Sequence, residues 1–366
     1  MRPEELRAEI PALDRGIYFN TGASGPAPRR VVSAASDFLE HHEYVAPVEE
    51  GAYPAAFETF EETRETVAGF LGAEPSEIAL TESTADGIAR VAAALDWEAG
   101  DVVVRTDLEH SAGVVPWWNL REQGVEVRVL DTEAGRVDLD ALDAAVADAR
   151  LLCLNSITWN YGTQLPIPEI VEIAHDHDTL VLVDAVQSPG QVPVDVGEWG
   201  ADFVAAAGHK WLLGPWGAGF LYVDRSVADR LTPGVAGYRS VVDTGATDLE
   251  LKAGAPRLEV GTTSPAPYRG LMKAIETMEA IGYDTITGRI ERLTDRLKAG
   301  LDDRLLGPRE YESGLVTFDA DDPEGLVERL GERDVHVRSL PYPDAVRASV
   351  HVFNTAADVD ALLDAL

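Results

Sequence analysis

Cysteine is nearly absent from the 366-residue chain. The one residue, Cys153, excludes an internal disulfide, and its place in the apolar run Leu151-Leu-Cys-Leu154 marks a small buried hydrophobe rather than a reactive thiol. A reducing compartment, the cytoplasm, is the expectation. Positive charge is scarce as well: 30 Lys and Arg face 64 Asp and Glu, giving a formal net charge of -34 and an isoelectric point near 4.4. A field of that sign repels phosphate-rich partners, so binding to nucleic acid or to an anionic membrane is not expected. Hydrated carboxylates, with arginine displacing lysine, instead suit a halophilic cytoplasm in which salt screens their mutual repulsion. No segment reaches the uninterrupted apolar length of a membrane helix, and the N-terminal MRPEELRAEIPAL lacks a signal core. A dinucleotide fingerprint and a P-loop are also missing, because the glycines of Gly214-Pro-Trp-Gly-Ala-Gly219 open no suitable helix.

What is present is a chain of 39.4 kDa, long enough for two domains. Amphipathic spacing predicts helices over 29–44 and 55–72. Short β-rich runs then alternate with helical stretches: EIALTES, DVVVRTD, VEVRVLD, LLCLNSIT, TLVLVDAV, DFVAAA and GFLYV. That rhythm predicts an α/β fold with a mostly parallel, doubly wound sheet. Beyond about residue 250 come helices over 267–281 and 284–305, strands at GLVTF, VHVRS and RASVHVF, and a closing helix. The division expected is an arm over 1–25, a large domain over 26–250 and a smaller α+β domain over 251–366.

Ligands of a doubly wound sheet gather where its strands end, so the polar residues following each apolar run are the candidates. They are Ser83 and Thr84 after EIAL, Glu109 and His110 after VVV, Asp184 after LVLV, and His209 and Lys210 after DFVAAA. Ser83-Thr84 at a helix start suits a phosphate, and equally an ordinary N-cap. A carboxylate such as Asp184 at a buried strand end needs a partner, either a protonated ring nitrogen or a structural arginine. Lys210 is one of only four lysines, with Lys252, Lys273 and Lys298, and it alone lies among glycines and tryptophans. Trp211 and Trp216 beside it point to a site that disfavours the ammonium and lowers its pKa, as a Schiff-base lysine requires. His175 and His177 in AHDHD, and His41-His42, read as polar helix ends in preference to metal ligands, and no metal is expected.

Together these residues resemble the class V, fold-type I family of pyridoxal-phosphate enzymes, which includes cysteine desulfurases, selenocysteine lyases, small-amino-acid aminotransferases and isopenicillin N epimerase-like proteins. The likeness runs through YFNTGASGPAP, TESTADGI, EHSAGVVPW, VDAVQ, GHKWLLGPWGAGFLY, EVGTTSP and VRASVHVFNT. It implies that Lys210 forms the Schiff base with pyridoxal 5'-phosphate, that Asp184 keeps the ring nitrogen protonated, and that Gln187 contacts the phenolic oxygen. It further implies that His110 stacks on the ring, that Ser83, Thr84 and His209 surround the phosphate, and that Thr262 reaches the phosphate of the neighbouring subunit in a homodimer. Arg347 would grip the substrate carboxylate, with Arg338 as a second anchor. Three positions depart from the family pattern. Trp159, next to Asn160, stands where many relatives have a cofactor-contacting Asn, and Ala207 where desulfurases carry a phosphate-binding Ser. The segment between Arg338 and Arg347, SLPYPDAV, is short and has no cysteine, so the desulfurase persulfide loop is missing. The resemblance thus implies amino-group exchange between a small α-amino acid and a keto acid, with PLP-dependent elimination or racemisation as the alternative and a non-catalytic scaffold as the third reading.

Overall fold

The computed structural model describes residues 1–366. Its strands are β1 (Ile17–Tyr18), β2 (Ile78–Thr81), β3 (Val102–Thr106), β4 (Glu126–Leu130), β5 (Leu151–Asn155), β6 (Leu180–Asp184), β7 (Phe203–Ala207), β8 (Gly219–Val223), β9 (Leu315–Phe318), β10 (Val335–His336), β11 (Arg338–Pro341) and β12 (Asp344–Ser349). The helices of the first part of the chain are α1 (Pro3–Ala8), α2 (Arg29–Tyr44), α3 (Ala52–Leu71), α4 (Thr84–Ala94), α5 (Val115–Leu120), α6 (Leu139–Val146), α7 (Ile167–His175), α8 (Val196–Trp199) and α9 (Arg225–Ala228). The last four are α10 (Ala266–Ile281), α11 (Tyr283–Leu301), α12 (Pro323–Gly331) and α13 (Ala356–Leu363).

Seven strands form the large sheet in the order β2-β8-β7-β6-β5-β3-β4, with β8 alone antiparallel to its neighbours. Both faces are covered, which is why the central strands read as unbroken apolar runs. Alternation survives in the packing: Leu152 and Leu154 of β5 join one apolar cluster with Val181, Val183 and Val204, while Leu151 and Cys153 join the other with Trp117, Leu182 and Phe203. Each leucine or valine so buried contributes about 1.5–3 kcal/mol.

The small sheet is antiparallel, in the order β11-β12-β9. Where the pattern predicts one strand at VHVRS, the backbone makes two: Val335–His336 pairs in parallel with β1 of the arm, and Arg338–Pro341 turns to pair with β12. SLPYPDAV is therefore most of a hairpin, with Arg338 directly opposite Arg347. The last predicted strand also stops early, at Ser349, because His351–Asn354 closes a turn through the Asn354 N–H to the His351 carbonyl (3.0 Å) and the His351 N–H to Asn354 Oδ1 (2.8 Å).

Core packing draws the division between the halves later than residue 250. Helix α10 packs on α2 and α3, with Tyr268 edge-on to Phe60 at 5.6 Å. Along α11, Ile286 and Ile290 belong to the large core, whereas Leu293, Leu297 and Leu301 belong to the small one, as does Phe19 of the arm. All five α11 residues lie on one helical stripe, and a stripe by itself does not say which core it faces.

Candidate active site

The C-terminal edge of the large sheet is where its chemistry-bearing side chains meet. Registered neighbours Asn155, Asp184 and Ala205 end β5 and β6 and lie beside the end of β7. The chain leaving β7 turns through Gly208, whose carbonyl accepts from Gly214 N–H at 2.8 Å, and presents His209 and Lys210. The arm closes over this turn: Gly25 N–H donates to the His209 carbonyl at 2.7 Å, and a Cβ on Gly25 would lie 2.1 Å from the Lys210 carbonyl oxygen. At the start of α4, Ser83 acts as N-cap, accepting from Asp86 N–H at 3.1 Å. That bond satisfies one amide of the first turn, and Thr84 Oγ1 is buried without a partner.

These elements enclose a cavity of about 320 Å³. Lys210, Asp184, His110, Ser83, Thr84, Gln187, His209, Trp159, Arg347 and Arg338 all line it, so ten residues separated by up to 264 positions in sequence share one site. Thr262 lies outside it on the exposed surface, bonded to the Tyr238 hydroxyl at 2.8 Å. Trp159 faces the cavity, edge-on to His110 at 5.6 Å, whereas Asn160 is buried away from it. Trp216 covers the mouth, 72% exposed, with its indole N–H on Ser24 Oγ at 3.1 Å. Trp211 departs from expectation. It turns away from the cavity and stacks on His351 at 5.6 Å, so Lys210 owes its environment to the sheet edge and the nearby arginines.

Electrostatically the site is unbalanced. Burial, reinforced by Arg347 and Arg338 and opposed by Asp184, brings the Lys210 amine down to about 8. Burial raises the Asp184 carboxyl, against Lys210 and the Val186 N–H (3.0 Å). His110 is lowered by burial and by the three cations, and its Nδ1 accepts from Ala112 N–H at 3.3 Å, which leaves the proton of the neutral ring on Nε2. His209 falls to about 4, through burial and Lys210. Arg347 is 1% exposed and brought down to about 9 by burial and Arg338; one nitrogen bonds the Trp159 carbonyl, while Nε and Nη2 have no partner. Gly22 admits that guanidinium, since a Cβ there would come within 2.9 Å of Nη2.

The sequence reading gave Glu109 no role beyond its place at a strand end. Its Oε1 accepts from Thr106 Oγ1 at 2.7 Å and from Asn155 N–H and Nδ2 at 3.2 and 3.1 Å, and burial beside Asp184 pushes the carboxyl up to about 8. Gly22 and Ala23 of the arm and Val186 also face the cavity; they fall within the runs YFNTGASGPAP and VDAVQ, where the sequence reading gave them no role. The histidines read as helix ends each meet a carboxylate at hydrogen-bond distance: His175 with Asp202 at 3.0 Å, His177 with Asp143 at 2.8 Å, His41 with Glu50 at 2.7 Å and His42 with Glu43 at 2.8 Å.

Comparison with known proteins supplies the family. Residues 17–362 match the profile of the family described as Aminotransferase class-V. A probable cysteine desulfurase of Methanothermobacter thermautotrophicus is 35% identical over 100% of this chain and 98% of its own length, and one from Halobacterium salinarum is 31% identical over 99% and 95%. Among solved structures, an apo cysteine desulfurase of Thermococcus onnurineus superposes with a TM-score of 0.92 at 29% identity, covering 100% of this chain and 97% of that one. The cystine C-S lyase C-DES, complexed with cysteine persulfide, gives 0.91 at 26% identity, covering 97% and 98%, and a mutant of C-DES carries glycine covalently linked to its PLP cofactor. The residues here fit that cofactor. A lysine with a lowered pKa faces the cavity, a buried carboxylate lies within its field, and the unpartnered Thr84 hydroxyl lies at a helix N-terminus suited to a phosphate. The chain belongs to the class-V aminotransferase family and is one of its pyridoxal-phosphate-dependent enzymes.

Proposed function

We propose that the protein is a C–S lyase acting on cysteine-derived α-amino acids, without parking sulfur on a thiol of its own. One observation carries this reading over persulfide-forming desulfuration, and the names of the relatives carry it over amino-group exchange. The sole thiol, Cys153, is 0% exposed within the large core, burial pushes it well above its ordinary pKa, and the hairpin bordering the cavity, Arg338–Ser349, offers none in its place. Without a nucleophile to take sulfur, the C–S bond breaks with its electron pair leaving on sulfur. A substrate R–S–CH2–CH(NH3+)–COO− and water then give R–SH, pyruvate and ammonium. The names of the relatives, desulfurases and a cystine C-S lyase, support the same class.

In this reading Lys210 anchors the pyridoxal phosphate, Asp184 pairs with its ring nitrogen, Ser83, Thr84 and His209 hold the phosphate, and His110 and Gln187 contact the ring. The bound cofactor supplies an electron sink for the pair left at Cα. Arg347 receives the substrate carboxylate on its two free nitrogens, with Arg338 opposite it across the hairpin. Once displaced, the Lys210 amine takes the α-proton, a role suited by a pKa near 8. Neutral His110 offers its Nε2–H to the departing sulfur. The working form would be a homodimer with Thr262 facing the partner's phosphate, supported by the exposed Tyr238 ring (40%) that is hydrogen-bonded to it. No helix is long and apolar enough to cross a membrane.

The test is product analysis of the cofactor-loaded protein with L-cysteine, L-cystine and S-alkyl cysteines, with no added thiol. Equimolar pyruvate and ammonium are expected, from wild type and from Cys153→Ala alike. Alanine in step with sulfane sulfur, or accumulating pyridoxamine phosphate with a keto acid, would overturn the reading in favour of desulfuration or transamination.

A further inference from the structure

Lys210 and Gln187 both face the cavity, yet the residue that joins them faces the other way. The Trp211 indole N–H donates to Gln187 Oε1 at 2.7 Å, and Gln187 Nε2 donates to the Gly22 carbonyl at 3.0 Å. An indole nitrogen only donates, so the oxygen of the amide must face Trp211 and its NH2 group must face the arm and the cavity. Nε2 carries two hydrogens, and the Gly22 carbonyl takes one. The other is left for an acceptor in the cavity.

The Trp211 ring is itself held. It is fully buried, stacked on His351 with an interplanar angle of 17°, while His351 Nε2 donates to the Trp211 carbonyl at 2.9 Å. Two glycines shape the slot: a Cβ on Gly314 would lie 2.7 Å from Trp211 Cη2, and one on Gly190 would lie 2.3 Å from its carbonyl. Gln191 ties the same region together, donating to the Gln187 carbonyl and accepting from Gly314 N–H at 2.7 Å. His351 and Gly314 come from the C-terminal part of the chain, so the orientation of the Gln187 amide is set by a tryptophan that sequence-distant residues hold in place.

We propose that Trp211 is a positioning residue that fixes the Gln187 amide as a hydrogen-bond donor to the phenolic oxygen of the cofactor. The proposal rests on Gln187 contacting that oxygen. A donor there stabilises the ionised oxygen and so lowers the pH at which the lysine-bound chromophore loses its proton. Remove the indole N–H and Gln187 Oε1 becomes a buried acceptor with no donor, free to turn toward the cavity and repel the oxygen it had been stabilising.

The experiment titrates the visible absorbance band of the pyridoxal-phosphate-loaded protein against pH for wild type, Trp211→Phe, Gln187→Ala and the double variant, with cofactor affinity followed by quenching of tryptophan fluorescence. Each single substitution is expected to raise the midpoint by about one pH unit, roughly tenfold in proton affinity. The double variant is expected to match Gln187→Ala, because Trp211 acts only through the amide. If Gln187→Ala moves the midpoint and Trp211→Phe does not, the role of Trp211 is overturned while the Gln187 contact stands. If Gln187→Ala leaves the midpoint in place, the contact itself fails and the proposal with it. Should Trp211→Phe not fold, benzothienylalanine at position 211, which keeps the shape and replaces N–H by sulfur, is read by the same criteria.

Discussion

Two groups of buried charge in this molecule are built on opposite plans. In the first, Glu259 (1% exposed) sits between Arg64 and Arg239 (4% and 6%). Its Oε1 accepts from Arg64 Nη2 at 2.8 Å and Leu80 N–H at 2.9 Å, its Oε2 pairs with Arg239, Arg64 Nε bonds the Ile78 carbonyl at 3.2 Å, and Arg239 lies over the Phe60 ring at 4.0 Å. In the second, Lys210, Asp184 and Arg347 are brought together with donors unspent. The pKa directions record the contrast: for Arg64 burial lowers but is outweighed by Glu259 and Glu61 together, and the net shift is upward, whereas Arg347, with burial and Arg338 acting together, falls to about 9. A buried charge whose bonds are complete is architecture, and one left incomplete awaits a ligand.

Replacing Lys210 is the largest way to break this contrast. Lys210→Ala should abolish the visible cofactor band and lower turnover by ~10³-fold or more, while the apo protein unfolds at the same or a higher urea concentration. Turnover within tenfold of wild type would end the assignment of this lysine. Glu259→Gln should do the reverse, costing about 3–5 kcal/mol in urea unfolding by stranding two guanidiniums, with kcat/KM of the folded protein unchanged. An unaltered urea midpoint would mean that the triad is not structural. Arg347→Lys retains charge but loses the paired donors, and kcat/KM should fall ~10²-fold with stability preserved; a loss of stability instead would put Arg347 in the first group.

The pH dependence of apo stability sharpens the same point. Between about pH 8 and 10.5 the unfolded chain holds a proton that folded Lys210 has released, so stability should rise with pH there and the rise should vanish in Lys210→Ala. Between pH 4.5 and about 8 folded Glu109 keeps a proton that the unfolded chain has lost, so stability should fall with pH and flatten in Glu109→Gln. Slopes unchanged by either substitution, measured by urea unfolding, would contradict those assignments. The smallest effect expected is from salt. With a net charge of -34, added potassium chloride should raise the melting temperature followed by circular dichroism, and indifference to salt would remove the halophilic reading.

Much of the fold was legible because its strands announce themselves: β5, β6 and β7 are short apolar runs bounded by polar residues, and a strand that ends must hand its next side chain to the sheet edge. Asp184, His110 and Lys210 could therefore be found by looking one to six residues past each run. Arg347 was found through resemblance, and its partnerless nitrogens became visible only with the backbone of Trp159 and the opening left by Gly22 in place. The turn of Trp211 away from the site was not legible at all, since a tryptophan next to a lysine has the same spelling whichever way it points. The hairpin at 338–349 was hidden for a similar reason, because Val335–His336 and Arg338–Pro341 are contiguous in sequence but pair with different strands.

By itself the sequence determined the alternation of strands and helices, the acid-rich surface, the single thiol and the identity of the strand-end residues, all of them local properties of composition and period. Only the tertiary structure decided which charges stay unpaired, which domain α11 serves and which way the Gln187 amide points. Those depend on what arrives from 24 to more than 180 residues away, and no local pattern carries the direction in which a side chain meets a distant neighbour.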